Sequence, residues 1–243
     1  MSKAFQTLFT MSDLKQEIIT MNLSNRMKFI VIAAIALVAP ITSARAQQVV
    51  GTEDGANAYP FGATVPAYQQ VYAASDFSGP IGINGLTFYQ TYTSGGSVYS
   101  ANYEIELSTT SAPVNGLSYN FADNIGADNT IVYNSTLSGP VGSQLAFNTN
   151  LFTYNPANGN LLLTIYQTGG SGDQYSLFLD TQADGMGQFS RVSSTSGTTT
   201  ADNADSNGLI TGFSTTGVPE PSTYALLLAG LALLAFRFRR ART

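Results

Sequence analysis

From Gln47 to Gly217 the chain is cut by Gly, Asn, Asp, Ser and Pro about every ten residues, and no segment between the cuts sustains a helical period. Helices need long uninterrupted stretches, whereas strands of four to eight residues fit between such turns. The pattern predicts an all-β domain, with strands over Tyr68–Ala73, Ile81–Tyr92, Tyr99–Ser108, Thr130–Ser135, Val141–Phe147, Leu161–Thr168, Tyr175–Thr181, Gly187–Ser193 and Leu209–Phe213. Nine strands of this kind suggest an antiparallel, jelly-roll-like β-sandwich. In Tyr103-Glu104-Ile105-Glu106-Leu107 the alternation is clear: the apolar residues face a core and the glutamates face away. Leu161–Tyr166 is apolar on both faces, which predicts a central strand or one lying under a covering loop. A turn is expected over Asp180–Gly187.

The charges are segregated. Nine of the ten basic residues lie in the terminal segments, leaving Arg191 alone among twelve carboxylates between Gln47 and Gly217. Such a domain repels a phosphate backbone, so nucleic acid is excluded as a partner. The chain has no Cys and no His, which removes thiol catalysis, Cys/His zinc sites, His-ligated haem and a Ser-His-Asp triad. No disulfide staples the fold either, so packing and backbone hydrogen bonds must hold it.

The basic residues belong to two membrane-directed segments. Arg26 and Lys28 precede the apolar run Phe29–Val38, and Ala44-Arg45-Ala46 supplies small residues around a cleavage point, so residues 27–46 read as a secretory signal peptide with Gln47 opening the mature chain. Signal peptidase is the implied partner. Residues 1–26 fit neither this unit nor a domain, and translation is read as starting at Met27 or Met21.

At the other end, Val218-Pro219-Glu220-Pro221 is followed by an apolar stretch and then by Arg237, Arg239, Arg240 and Arg242. Residues 223–238 as a helix would span about 24 Å, a little under the ~30 Å hydrocarbon layer, which is tolerable where Arg side chains snorkel. The arginines place the C-terminus in the cytoplasm. Both ends therefore predict that residues 47–217 cross the inner membrane and are tethered there, transiently, by a transmembrane helix. Two prolines flanking Glu220 hold that residue extended, as a handle just outside the bilayer.

Residues 218–243 resemble the PEP-CTERM sorting signal: a Pro-Glu-Pro motif, a hydrophobic helix and an Arg-rich tail. Blocks of the middle, YQQVY at Tyr68, IGINGLTFY at Ile81 and FTYNPANGNLLLTIY at Phe152, are similar to the β-rich ectodomains of the same family. The resemblance implies processing near the motif by an exosortase whose catalytic Cys is its own, and delivery to the outer envelope or the extracellular matrix. It carries no activity for the β-domain.

Three features were weighed as chemistry. Glu104 and Glu106 stand about 7 Å apart on one strand face, a separation within reach of a glycosidase pair, but solvent-facing carboxylates on a half-buried strand account for them. Asn203, Asp205 and Asn207 with Gly208 follow part of the EF-hand spacing, yet Asn203 stands where that loop wants Asp and Ser214 where it wants Glu. Asp202, Asp205 and Asn207 are the candidates for a looser calcium site. The hydroxyl run Ser193–Thr200 reads as an exposed loop. The expectation is a non-enzymatic surface or matrix protein without a required cofactor, associated with exopolysaccharide. The alternative is a carbohydrate-binding module or weak glycan hydrolase on the same exported scaffold.

Overall fold

The computed structural model describes residues 46–91, 95–183, 187–217 and 230. The described domain is all-β and antiparallel. Its thirteen strands are β1 (Ala46–Val50), β2 (Gly55–Asn57), β3 (Ala67–Tyr72), β4 (Ile81–Tyr89), β5 (Gly96–Thr110), β6 (Thr130–Val141), β7 (Gln144–Tyr154), β8 (Asn160–Ser171), β9 (Leu179–Gln182), β10 (Phe189–Ser194), β11 (Asn203–Asp205), β12 (Gly208–Leu209) and β13 (Thr211–Gly217).

They form a four-stranded sheet in the order β1-β13-β4-β7, a six-stranded sheet β11-β10-β3-β8-β5-β6, and a small sheet β12-β9-β2. The two larger sheets share one core. Phe61 lies with its ring 5.2 Å from Phe88 of the four-stranded sheet and 5.3 Å from Tyr103 of the six-stranded one. Tyr72 and Phe213 meet edge-on at 5.1 Å from the same two sides. Tilted and edge-on contacts are the arrangement that the ring quadrupole favours. The chain has no Trp and no Cys, and among the described residues Phe and Tyr rings fill the core: Phe61, Tyr72, Phe88, Tyr103 and Phe213 are all 0% exposed.

Period-two alternation holds as expected in β5: Tyr103, Ile105 and Leu107 are all 0% exposed on the core side. The apolar run Leu161–Ile165 is also fully buried, because β8 lies between β3 and β5 and its outer side is roofed. The roof is the segment 111–129, where Phe121 and Leu117 pack with Ala67, Val192, Ala201 and Tyr166. Gln69 of β3 reaches out of the sheet into this layer. Its amide donates to the Phe121 carbonyl and Thr164 Oγ1, and it accepts from Asn124 Nδ2 at 2.8 Å. A polar side chain that is 0% exposed is tolerated there because its donors and its acceptor are matched.

Several boundaries differ from the sequence expectation. The segments expected over Thr130–Ser135 and Val141–Phe147 are one twelve-residue strand, β6, a tight connection at Gly142-Ser143, and an eleven-residue strand, β7. The Ser-Gly-Pro at 138–140 looks like a turn in sequence, but Gly139 takes φ +92° within the strand. The segment expected from Tyr175 begins only at Leu179, since Tyr175 has φ +62° and belongs to a turn. The segment expected over Leu209–Phe213 is two strands: the chain leaves the small sheet at Leu209 and enters the four-stranded sheet at Thr211. Strands β1, β2 and β11 were not anticipated.

Candidate functional site

The functional question centres on the two ends of the domain. β1 is an edge strand whose partner is β13, in the register Ala46↔Thr215, Gln47↔Ser214 and Val50↔Thr211. Because the pairing is antiparallel, the first residues of β1 and the last residues of β13 lie at the same end of the sheet. Ala46, expected at the signal cleavage point, opens β1, and Gln47 is exposed on it. Ala44 and the sorting residues Val218, Pro219, Glu220, Pro221, Arg237, Arg239, Arg240 and Arg242 lie outside the described residues. Among the described residues no helix is long and apolar enough to cross a membrane.

β13 is held firmly. It runs between β1 and β4, Phe213 is 0% exposed between Tyr72 and Phe77, and Thr211 Oγ1 meets the Tyr72 hydroxyl at 2.7 Å. The motif at 218–221 therefore begins one residue after a strand that is locked into the core. On the other side of the ladder, the Gln48 side chain donates to the Asp76 carbonyl and fastens β1 to the one-turn 3-10 helix at Ala74–Asp76.

The calcium candidates are placed separately and are already engaged. Asp202 Oδ2 accepts from Thr195 N at 2.8 Å and Thr195 Oγ1 at 3.0 Å, with the Ser194 and Ser196 hydroxyls nearby. These donors, the backbone amide first, hold the Asp202 carboxyl below its ordinary value. The hydroxyl run, expected as an exposed loop, begins on β10, where Ser193 and Ser194 are buried, and turns at Thr195 and Ser196 onto Asp202. Asp205 faces the other way, onto Arg191: Nε to Oδ1 is 2.8 Å and Nη2 to Oδ2 is 3.0 Å, a bidentate pair whose side chains are 6% and 27% exposed. Burial alone would raise the Asp205 carboxyl, but the guanidinium, together with Asn203 Nδ2 and the Asn207 N–H, outweighs burial and lowers it. Asn207 donates its backbone N–H to Asp205 Oδ1. Among the described residues no group of three or more acidic side chains converges as a metal site.

Arg191, the lone cation between Gln47 and Gly217, has a role that only the fold reveals. β10 and β11 pair Arg191 directly with Asp205, so this charge closes the edge of the six-stranded sheet. Beside it lies a cavity of about 160 Å³ lined by Asn115, Leu117, Ser190, Arg191, Asp205 and Ser206. That is about half the smallest volume usual for a small-molecule site. Next to Arg191, burial pushes the Tyr68 hydroxyl up to about 12.

Glu104 and Glu106 lie on the outer side of β5, each held by a side-chain amide on or just before β6: Asn134 Nδ2 donates to Glu104 Oε2 at 2.6 Å and Asn129 Nδ2 to Glu106 Oε2 at 2.9 Å. Glu106 is only 8% exposed, and burial raises its carboxyl, with Glu104 adding to the effect. The pair shares one strand and one face.

Residues 217–242 match the family model of the PEP-CTERM protein-sorting motif. The match spans Val218–Pro221 and all four C-terminal arginines. No curated protein and no solved structure matches the chain. A chain bearing this motif is an exported protein of the cell envelope, and an exosortase is the kind of partner that processes it.

Proposed function

We propose that this carrier of a PEP-CTERM motif is a non-enzymatic surface or matrix protein, secreted by signal peptidase cleavage at Ala46–Gln47. The helix over 223–238 holds it briefly in the inner membrane, an exosortase then cuts or transfers it near Pro219-Glu220-Pro221, and it associates with exopolysaccharide outside the cell. In this reading residues 47–217 are a jelly-roll-like sandwich that acts as the delivered cargo. The observation that carries the proposal is the match over 217–242, which begins at the last residue of β13.

The distribution of charge supports a structural cargo. With Arg191 engaged by Asp205, the domain presents carboxylates to solvent, which keeps it hydrated and lets divalent ions bridge it to acidic polymers. Calcium in this reading is a loosely held surface counterion. The glutamates of β5 share one strand face and are held by amides, which favours a structural role over the hydrolase alternative.

The test compares the native chain with Pro219→Ala/Glu220→Ala/Pro221→Ala. The native chain should leave the inner membrane with a new C-terminus, read by mass spectrometry, and the triple variant should accumulate there uncut. Equal release of the two would refute the proposal.

A further inference from the structure

Strands β6 and β7 are the outer edges of the two larger sheets, β6 pairing only with β5 and β7 only with β4 among the described residues. They are consecutive in the chain and lie on the same flank, where Tyr133 of β6 meets Phe147 of β7 edge-on at 5.0 Å. Among the described residues, one side of the domain therefore carries two open edges, twelve and eleven residues long.

Exposed edges of that length invite pairing with another strand, and proteins that stay monomeric blunt them with charge, above all Lys, or with inward-pointing charged residues. Here no such residue is present. From Asn129 to Gly172 the sequence contains no Asp, Glu, Lys or Arg, although the rest of the domain is acidic. Asp128, two residues before β6, is engaged by Thr109, and Glu104 and Glu106, one strand further in, are held by Asn134 and Asn129. The register of β6 shifts between Ile131 and Tyr133 and between Leu137 and Gly139, but Tyr133–Leu137 runs in unbroken register with Ile105–Ala101, and Gln144–Asn148 with Tyr89–Gly85. Two of the exposed large apolar side chains, Ile131 at 47% and Leu151 at 61%, lie on these strands.

From these observations we infer that the β6–β7 flank is a self-association surface whose partner is a second copy of this chain. Charge selects that partner: two acidic domains repel one another over most of their surfaces, and this flank is where they can approach without opposing carboxylates. Geometry allows it too. A two-fold axis normal to the sheets sets β6 antiparallel to its own copy and β7 antiparallel to its own copy, so one closed contact extends both layers at once. Edges of about 36 Å on layers about 10 Å apart offer a strip of several hundred Å², approaching the ~800 Å² per partner of a standard interface.

The test is sedimentation velocity of the exported, processed protein across a micromolar concentration series. The native protein should dimerise, and Thr136→Lys/Ala146→Lys, which sets one charge on each edge, should raise the dissociation constant at least about tenfold. Val49→Lys on β1, the opposite edge of the four-stranded sheet, should leave the dimer intact. Hydrogen exchange of the native protein gives a second reading that does not depend on the variant folding: edge amides within 133–137 and 144–148 should gain protection as concentration rises. A native protein that stays monomeric throughout the series, a folded double-Lys variant that dimerises as the native protein does, or a dimer lost in Val49→Lys would each overturn the inference. So would concentration-independent exchange at both edges.

Discussion

Gln47 and Ser214 are register partners across β1 and β13, so the residue expected to open the mature chain is paired with one that lies four positions before Val218. The bond expected to be cut by signal peptidase, Ala46–Gln47, falls within this ladder. A peptidase needs that bond extended and free in its own cleft, and β1 has no partner until β13 has been exported. On the proposed reading, the signal is removed first and β1 docks after.

The pairing predicts a cross-link. Direct partners in an antiparallel ladder have Cα atoms about 4.5–5.5 Å apart, within the range a disulfide requires. The chain has no cysteine of its own. Gln47→Cys/Ser214→Cys should therefore form one intramolecular disulfide in exported protein, seen as a reducible mobility shift, and Gln47→Cys/Gly208→Cys should not.

The anchoring of β13 predicts a steep cost at its centre. Phe213 is 0% exposed and meets the rings of Tyr72 and Phe77 edge-on, so Phe213→Ala should destabilise the domain by about 3–5 kcal/mol, measured by denaturant unfolding. Val49→Ala on the exposed side of β1 should cost under about 1 kcal/mol.

For the buried ion pair the two halves should behave differently. Asp205→Ala strands a guanidinium that is 6% exposed and should cost about 3 kcal/mol, whereas Arg191→Met/Asp205→Leu should lie near native stability. The Asp205 carboxyl is lowered in the folded state, so its contribution is present above the ordinary carboxylate value and is lost as pH falls through the lowered one. In the double variant this acid-side loss should be reduced in a pH series of unfolding curves.

Glu106 should show the opposite sign. Its carboxyl is raised by burial, so the folded state gains from the protonated form at low pH and loses that gain as pH rises through the raised value. Glu106→Gln keeps an acceptor for Asn129 Nδ2 and removes the buried charge. It should raise Tm at pH 7 and leave it close to native at pH 3, by calorimetry at both values.

Local chemistry made part of this legible in the sequence. Alternation at Tyr103–Leu107 and the two-sided apolar run at Leu161–Ile165 reveal strand faces because side chains on a strand point alternately to opposite sides. The Pro-Glu-Pro, apolar and Arg segments at 218–242 are a linear signal read by composition and order, so no fold is needed to recognise them. β1 was illegible because Ala-Gln-Gln-Val-Val has no alternation of its own and becomes a strand only when β13 offers it an edge. β6 was divided because Ser138-Gly139-Pro140 carries turn residues, which the long partner β5 holds in line.

The sequence by itself determined the class of fold, the acidity of the domain and the sorting signal, since each depends on residue type and short-range order. Tertiary structure alone decided that Arg191 meets Asp205, that Asp202 closes a hydroxyl turn, that the two ends of the domain leave side by side, and that a charge-free stretch becomes two open edges on one flank. Those outcomes depend on which distant strands become neighbours, and strand neighbours are chosen by the packing of the whole core, on which no local pattern reports.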